Sequence, residues 1–134
     1  MTEPPNLSTI VQSWVQKAEH DFGTANLILK SKDDELADMA CYHAQQCAEK
    51  YIKVLFIKKG LDVPRIHDLL ELAKKLPPKD QAKFSLDALS DLNSFAVDVR
   101  YPGDWNTPLG LAEAAKAMRI ADEVRTIVQK ELKA

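Results

Sequence analysis

Apolar positions recur three and four residues apart along most of the chain, and that period predicts helices. Val11, Trp14, Ala18, Phe22, Ala25 and Leu29 form one stripe, with Ser8 as N-cap, predicting a helix over 8–31. After the polar break at residues 31–34, Ala37, Ala40, Ala44, Cys47, Tyr51 and Val54 form a second stripe. It predicts a helix over 34–59, ended by Gly60 as the C′ residue. Its small side chains let a neighbouring helix approach closely. A short helix over 67–76 carries Leu69, Leu70, Leu72 and Leu76. Pro77 and Pro78 stop it, because proline lacks the N–H and clashes with the preceding turn. Leu86, Leu89, Leu92 and Ala96 predict a helix over 79–98, and the stretch from Arg100 to Asn106 is rich in breakers. The last helix opens with Thr107 as cap and Pro108 at its first position, then runs through Leu111, Ala114, Met118, Ala121, Val124, Val128 and Leu132. No segment alternates with period two. The expected fold class is all-α, an antiparallel up-and-down bundle of about five helices, four long and one short.

A length of 134 residues suits one domain over 1–134, with its core at about 8–131. Apolar residues at 46% and charged residues at 28% exclude a disordered, purely solvating chain. No stretch approaches the roughly 18 apolar residues of a membrane span, and the N-terminus lacks the basic and apolar regions of a secretory signal. A cytoplasmic location is expected. Cys41 and Cys47, six residues apart on one predicted helix, diverge and do not bridge readily. Reduced thiols fit the same compartment.

Charge is unevenly spread. Residues 1–49 carry three basic and eight acidic side chains, residues 50–79 eight and three, and residues 80–134 seven and nine. The middle segment, with Lys50, Lys53, Lys58, Lys59, Arg65, Lys74, Lys75 and Lys79, attracts phosphate if the fold gathers these groups. Otherwise they are solvated charges at helix ends, favoured by the helix dipole.

The second helix carries the densest polar chemistry. Tyr42, His43, Gln45, Gln46, Glu49, Lys50 and Lys53 lie off its small-residue stripe. One reading makes Glu49 and Lys53 an exposed i,i+4 pair and the glutamines solvated. The other lines a groove with Gln45, Gln46, Lys50 and Lys53 against the loop at Arg100, with amide donors and cations arranged for a nucleotide. His43 and Cys47 also stand at i,i+4, but two ligands are too few for a metal, and Cys47 falls in the packing stripe where a thiol is inert. No metal or cofactor is expected. There is no glycine-rich phosphate loop and no serine nucleophile elbow.

Four separated motifs carry a resemblance. Trp14 with Ala18, Asp21 and Ala25; the run from Tyr42 to Lys50, with Lys53; His67, Asp68 and Leu69; and Arg100, Tyr101 and Pro102 closely match the pattern of the HEPN domain family over roughly residues 8–131. The resemblance implies an antiparallel helical bundle, frequently a homodimer, that binds a nucleotide or nucleic acid. It also implies a partner of the nucleotidyltransferase family, in some members as a toxin–antitoxin pair.

One branch of that family cleaves RNA without metal, through an arginine, four to six intervening residues and then a histidine. This chain departs from it: His20, His43 and His67 all precede Arg100. Cleavage through a 2′-hydroxyl needs proton transfer at two oxygens and a cation over the developing charge, and Arg100 supplies only the last. The chain resembles the branch that keeps the Arg-Tyr-Pro loop without the catalytic histidine. Arg100 either pairs with Asp98 or Asp104 and fixes the loop, or grips a phosphate while Tyr101 or Trp105 stacks a base. His67 reads as a helix-start residue. The expected function is a non-catalytic helical module acting with a nucleotidyltransferase. A ribonuclease using Arg100 with His43 or His67, and a ligand-free interaction scaffold, are the alternatives.

Overall fold

The computed structural model describes the backbone of residues 6–100 and 109–134, and the side chains of these except 97–100. Helix α1 spans Leu7–Ser31. Its N-cap is Asn6 rather than Ser8, because the Asn6 Oδ1 accepts from the Thr9 backbone N–H at 2.8 Å. Lys32 ends it in the left-handed region, φ 57°. The start expected at residue 34 is instead a 3₁₀ turn over Asp34–Leu36, where the Asp33 carboxylate accepts from the Glu35 N–H at 3.0 Å. Helix α2 follows over Ala37–Lys58. Gly60, at φ +71°, closes it as expected. The Gly60 N–H donates to the Ile57 carbonyl at 3.1 Å and the Leu61 N–H to the Phe56 carbonyl at 2.9 Å, the paired bonds of a Schellman ending.

Helix α3, Leu69–Lys74, is capped by Asp68, which accepts from the Glu71 N–H at 3.0 Å. The single helix expected over 79–98 is two. A one-turn α4 over Pro78–Gln81 begins on Pro78, whose missing N–H costs nothing at that position. The chain then breaks, and α5 runs Leu86–Arg100. Ser85 restarts it: its hydroxyl accepts from the Ala88 N–H at 3.2 Å, a local bond that competes with helix continuation.

Helix α6 spans Leu111–Lys133. Thr107 and Pro108 lie outside the described residues, and the helix begins three positions after Pro108, with Gly110 at the N-cap. Glycine has no capping side chain, and Asp34 supplies one from across the bundle, accepting from the Leu111 N–H at 3.1 Å. A Cβ at Gly110 would stand 3.2 Å from that carboxylate oxygen.

Among the described residues there are six α-helices and no strand. Helix α2 is the centre, packing against α1, α6, α5 and α3. All six residues of its predicted stripe are buried, as are Cys41, Ala48, Ile52 and Leu55 behind them. Ala18 and Ala25 of α1 and Ala114, Ala117 and Ala121 of α6 are also fully buried, so alanines lie in all three helices. Between α1 and α6, the Tyr51 hydroxyl donates to Glu19 at 2.7 Å and accepts from the Gln129 amide at 3.1 Å. The Arg125 guanidinium grips the same Glu19 through two bonds of 2.7 and 2.8 Å, with Phe22 beneath it at 4.5 Å.

A second ionic knot joins the other end of α2 to α4 and α6. Lys59 and Lys83 hold the buried Asp80 at 3.1 and 3.4 Å, and Lys83 also reaches Glu131 at 2.6 Å. Lys58 donates to the Glu131 carbonyl. Charge pairing thus disperses much of the basic middle segment instead of gathering it into one patch.

The bond from Arg125 holds the Glu19 carboxyl below its ordinary range, outweighing burial and aided by Tyr51. Burial pushes Asp80 up, but Lys59 and Lys83 together overcome it and leave that carboxyl lowered as well. Groups lowered in the folded state stabilise it above their unfolded pKa, about 4 for carboxyls, and lose that contribution as pH falls through the folded value. Urea unfolding should therefore give a nearly constant stability above about pH 5 and a decline below about pH 4, the range set by the unfolded carboxyl values. Arg125→Gln should shrink that decline. In the same assay Ala44→Leu should cost about 1–3 kcal/mol, because the closely packed α2 has no room for three more carbons.

Candidate functional site

The polar side of α2 is where the fold leaves its central helix least covered. At about 100° per residue, Gln45, Glu49, Lys53, Gln46, Lys50 and His43 follow one another around roughly 160° of the helix. The first three are buried, at 2%, 5% and 7% exposure. Gln46, Lys50 and His43 are half-buried. The exposed Glu49–Lys53 pair expected from spacing is a real i,i+4 pair at 3.1 Å, but both partners are inside the protein. Gln45 is likewise not solvated.

The chain before α3 closes over this buried row. Gln45 Nε2 donates to the His67 carbonyl at 2.8 Å. His67 Nδ1 lies 3.0 Å from Glu49 Oε2, and because a carboxylate only accepts, Nδ1 is the donor. Gln46 Nε2 donates to Gln45 Oε1 at 2.8 Å, linking the half-exposed row to the buried one. His67 thus precedes its helix as expected and also ties it to α2. Asn93 of α5 joins from the far side, accepting from the Leu69 N–H at 2.9 Å and donating to Asp68 at 2.8 Å.

On the other border of the arc stands Asp21 of α1, 9% exposed. One of its oxygens accepts from His43 Nδ1 at 2.9 Å and the other from the Lys50 ammonium. The His43 ring meets the Tyr42 ring edge-on, centroids 5.5 Å apart. With Nδ1 committed to Asp21, the Nε2 of His43 is the nitrogen left for another partner. Beyond Lys50 the seam opens into a cavity of about 310 Å³ lined by Ser13, Trp14, Gln16, Lys17 and Lys50.

The structure therefore brings together Gln45, Gln46, Lys50 and Lys53, with His43 beside them, but separates them by depth. Arg100 is the last residue of α5, two turns beyond Asn93. Its side chain, with Tyr101, Trp105, Asp98 and Asp104, lies outside the described residues. Sequence reasoning passed over Lys17 and the cavity face of Trp14. Their signal is present: Trp14, Lys17 and Asp21 stand three and four residues apart, on one face of α1.

No group of three or more His, Cys, Asp or Glu among the described residues is placed to hold a metal. Cys41 and Cys47 are free and buried. Burial, reinforced by Asp38 beside Cys41 and by Glu19 beside Cys47, pushes each thiol up to about 12. Neither is a nucleophile at neutral pH, and His43 turns to Asp21 rather than to Cys47.

A helical bundle around a central helix whose polar arc is tied to α1 and to the chain before α3 defines a class. The HEPN domain model matches residues 11–132, and the chain belongs to the HEPN domain family. Two solved structures share the fold. The crystal structure of TT1696 from Thermus thermophilus is similar at TM-score 0.72 and 24% identity, over 90% of this chain and 96% of that one. ST0689, an archaeal HEPN homologue, is similar at TM-score 0.70 and 25% identity, over the same shares. No curated protein sequence matches the chain. No described helix is long and apolar enough to cross a membrane.

The buried Glu49–Lys53 pair sets a test of the arc's construction. Removing one partner leaves an uncompensated buried charge, so Lys53→Met should cost about 3–5 kcal/mol in urea unfolding. Adding Glu49→Leu should recover a large part of that loss, since a buried pair replaced by apolar groups is often neutral.

Proposed function

We propose that this chain is a non-catalytic HEPN module that binds a nucleotide or nucleic acid and acts, as a homodimer, with a nucleotidyltransferase-family partner in a toxin–antitoxin-like pair. The observation that carries this reading is the two-row build of the α2 arc. A buried ion pair contributes little net stability against apolar packing, so stability alone does not explain Gln45, Glu49 and Lys53. Beneath Gln46, Lys50 and His43 they act as a rigid footing that holds an ammonium, an amide and an imidazole half-exposed. Such a set suits the oxygens of a phosphate and the edge of a base. On the sequence pattern alone, we assign Arg100, Tyr101 and Trp105 to the same ligand. The absence of any histidine after Arg100 supports binding without cleavage.

One observation favours a second reading, a metal-independent ribonuclease. Asp21 orients His43 through Nδ1 and frees Nε2, which is how an acid–base imidazole is held.

Incubation with labelled single-stranded RNA and tRNA in EDTA separates the two. The expected result is binding without cleavage, with Arg100→Ala weakening binding by about 1.5–3 kcal/mol, the range of a charged hydrogen bond. Cleavage abolished by both His43→Ala and Arg100→Ala would install the ribonuclease instead. Light scattering at high micromolar concentration should give a dimer mass, from an interface burying more than about 1,000 Å².

A further inference from the structure

The cavity between α1 and α2 has a composition that the packing of the bundle does not call for. One wall is the indole of Trp14, half-buried, packed against the hydrophobic core and lining the cavity. Two lysines line it, Lys17 from α1 and Lys50 from α2. Lys17 is exposed and makes no ion pair among the described residues. Lys50 is not a loose surface lysine: Asp21 holds its ammonium, and His43 holds the other oxygen of Asp21. Its direction is therefore set before any ligand arrives, which lowers the ordering cost of binding.

The charges favour an anion. Two lysines line the cavity, and the Asp21 carboxylate beside Lys50 already accepts one bond at each oxygen, from His43 and from Lys50. Lysines are compact point charges suited to phosphate. The indole face suits a planar base, and stacking on an aromatic ring tolerates any base. Ser13 and Gln16, both exposed on the rim, offer a hydroxyl and an amide for sugar or base atoms. A volume of about 310 Å³ lies at the small end of ligand cavities.

We propose that this cavity binds a nucleoside phosphomonoester, with the base laid on Trp14 and the phosphate between the Lys17 and Lys50 ammonium groups. The proposal rests on the reading of the protein as a nucleotide binder and gives that binding a place between α1 and α2. A free nucleotide and the 5′-terminal nucleotide of an RNA share this chemistry.

The chain has two tryptophans, and the Trp14 signal is the part of the indole emission that a Trp14→Phe variant loses. Titration with AMP should quench that signal saturably. Adenosine and inorganic phosphate should each bind at least about tenfold more weakly, because each lacks one of the two contacts. A 5′-phosphorylated RNA that binds more tightly than its 5′-hydroxyl counterpart would identify the RNA end as the source; equal binding of the two RNAs, with AMP still quenching, would identify the free nucleotide. Lys17→Glu changes an exposed side chain and should weaken AMP by about tenfold or more, the loss of a charge-assisted bond. Calorimetry on the same two chains should return the same ratio. AMP binding lost in Lys17→Glu but kept in Arg100→Ala would support this site while removing Arg100 from the proposed groove. Binding lost in Arg100→Ala but unchanged in Lys17→Glu would overturn this site and leave the broader function standing. No saturable quenching by AMP at millimolar concentration would overturn it as well.

Discussion

A helix surrounded by other helices has no solvent to satisfy its polar side chains, and that constraint on α2 organises much of this protein. Four helices pack against it, and from Cys47 to Ile57 every side chain but Lys50 is buried. Apolar residues tolerate that, but Gln45, Glu49 and Lys53 do not unless each finds a partner. Glu49 answers Lys53, Gln45 and His67 at once. Among the described residues, no buried side-chain nitrogen or oxygen is left without a hydrogen bond.

The same logic runs through the outer helices. Helix α1 offers two carboxylates to α2, and each is shared. Glu19 takes Tyr51 and Arg125, joining three helices at one side chain. Asp21 takes His43 and Lys50. The first knot is structural, with a bidentate guanidinium laid over Phe22. The second borders a cavity and leaves an imidazole nitrogen uncommitted. Two acids two residues apart thus do different work, because one is shared between α2 and α6 and the other holds two side chains of α2.

The residues that carry the family resemblance consequently divide by depth. Ala18, Ala25, Ala44 and Ala48 permit close approach of helices. Gln45, Glu49 and Lys53 form an internal brace, tied to the exposed His67. Lys50, Gln46 and His43 remain half-exposed above it. A motif that reads as one continuous run is a wall, a brace and a surface, separated only by the 100° step from residue to residue.

The sequence by itself determined that the chain is helical, where α1 and α2 lie to within a few residues, and that Gly60 ends α2. These follow from bonds and contacts between residues up to four or five apart, which the chain carries locally. It also determined the family, through four ordered motifs. Only the tertiary structure decided that Glu49 and Lys53 are buried, that Asp21 serves two partners, 22 and 29 residues away, and that Arg125 reaches back 106 residues to Glu19. The cap that Asp34 lends to α6 across 77 residues belongs with these. Periodicity reports which face of a helix is apolar; it carries no information on how many neighbours surround that helix, and it is the number of neighbours that turns a solvated lysine into a buried one.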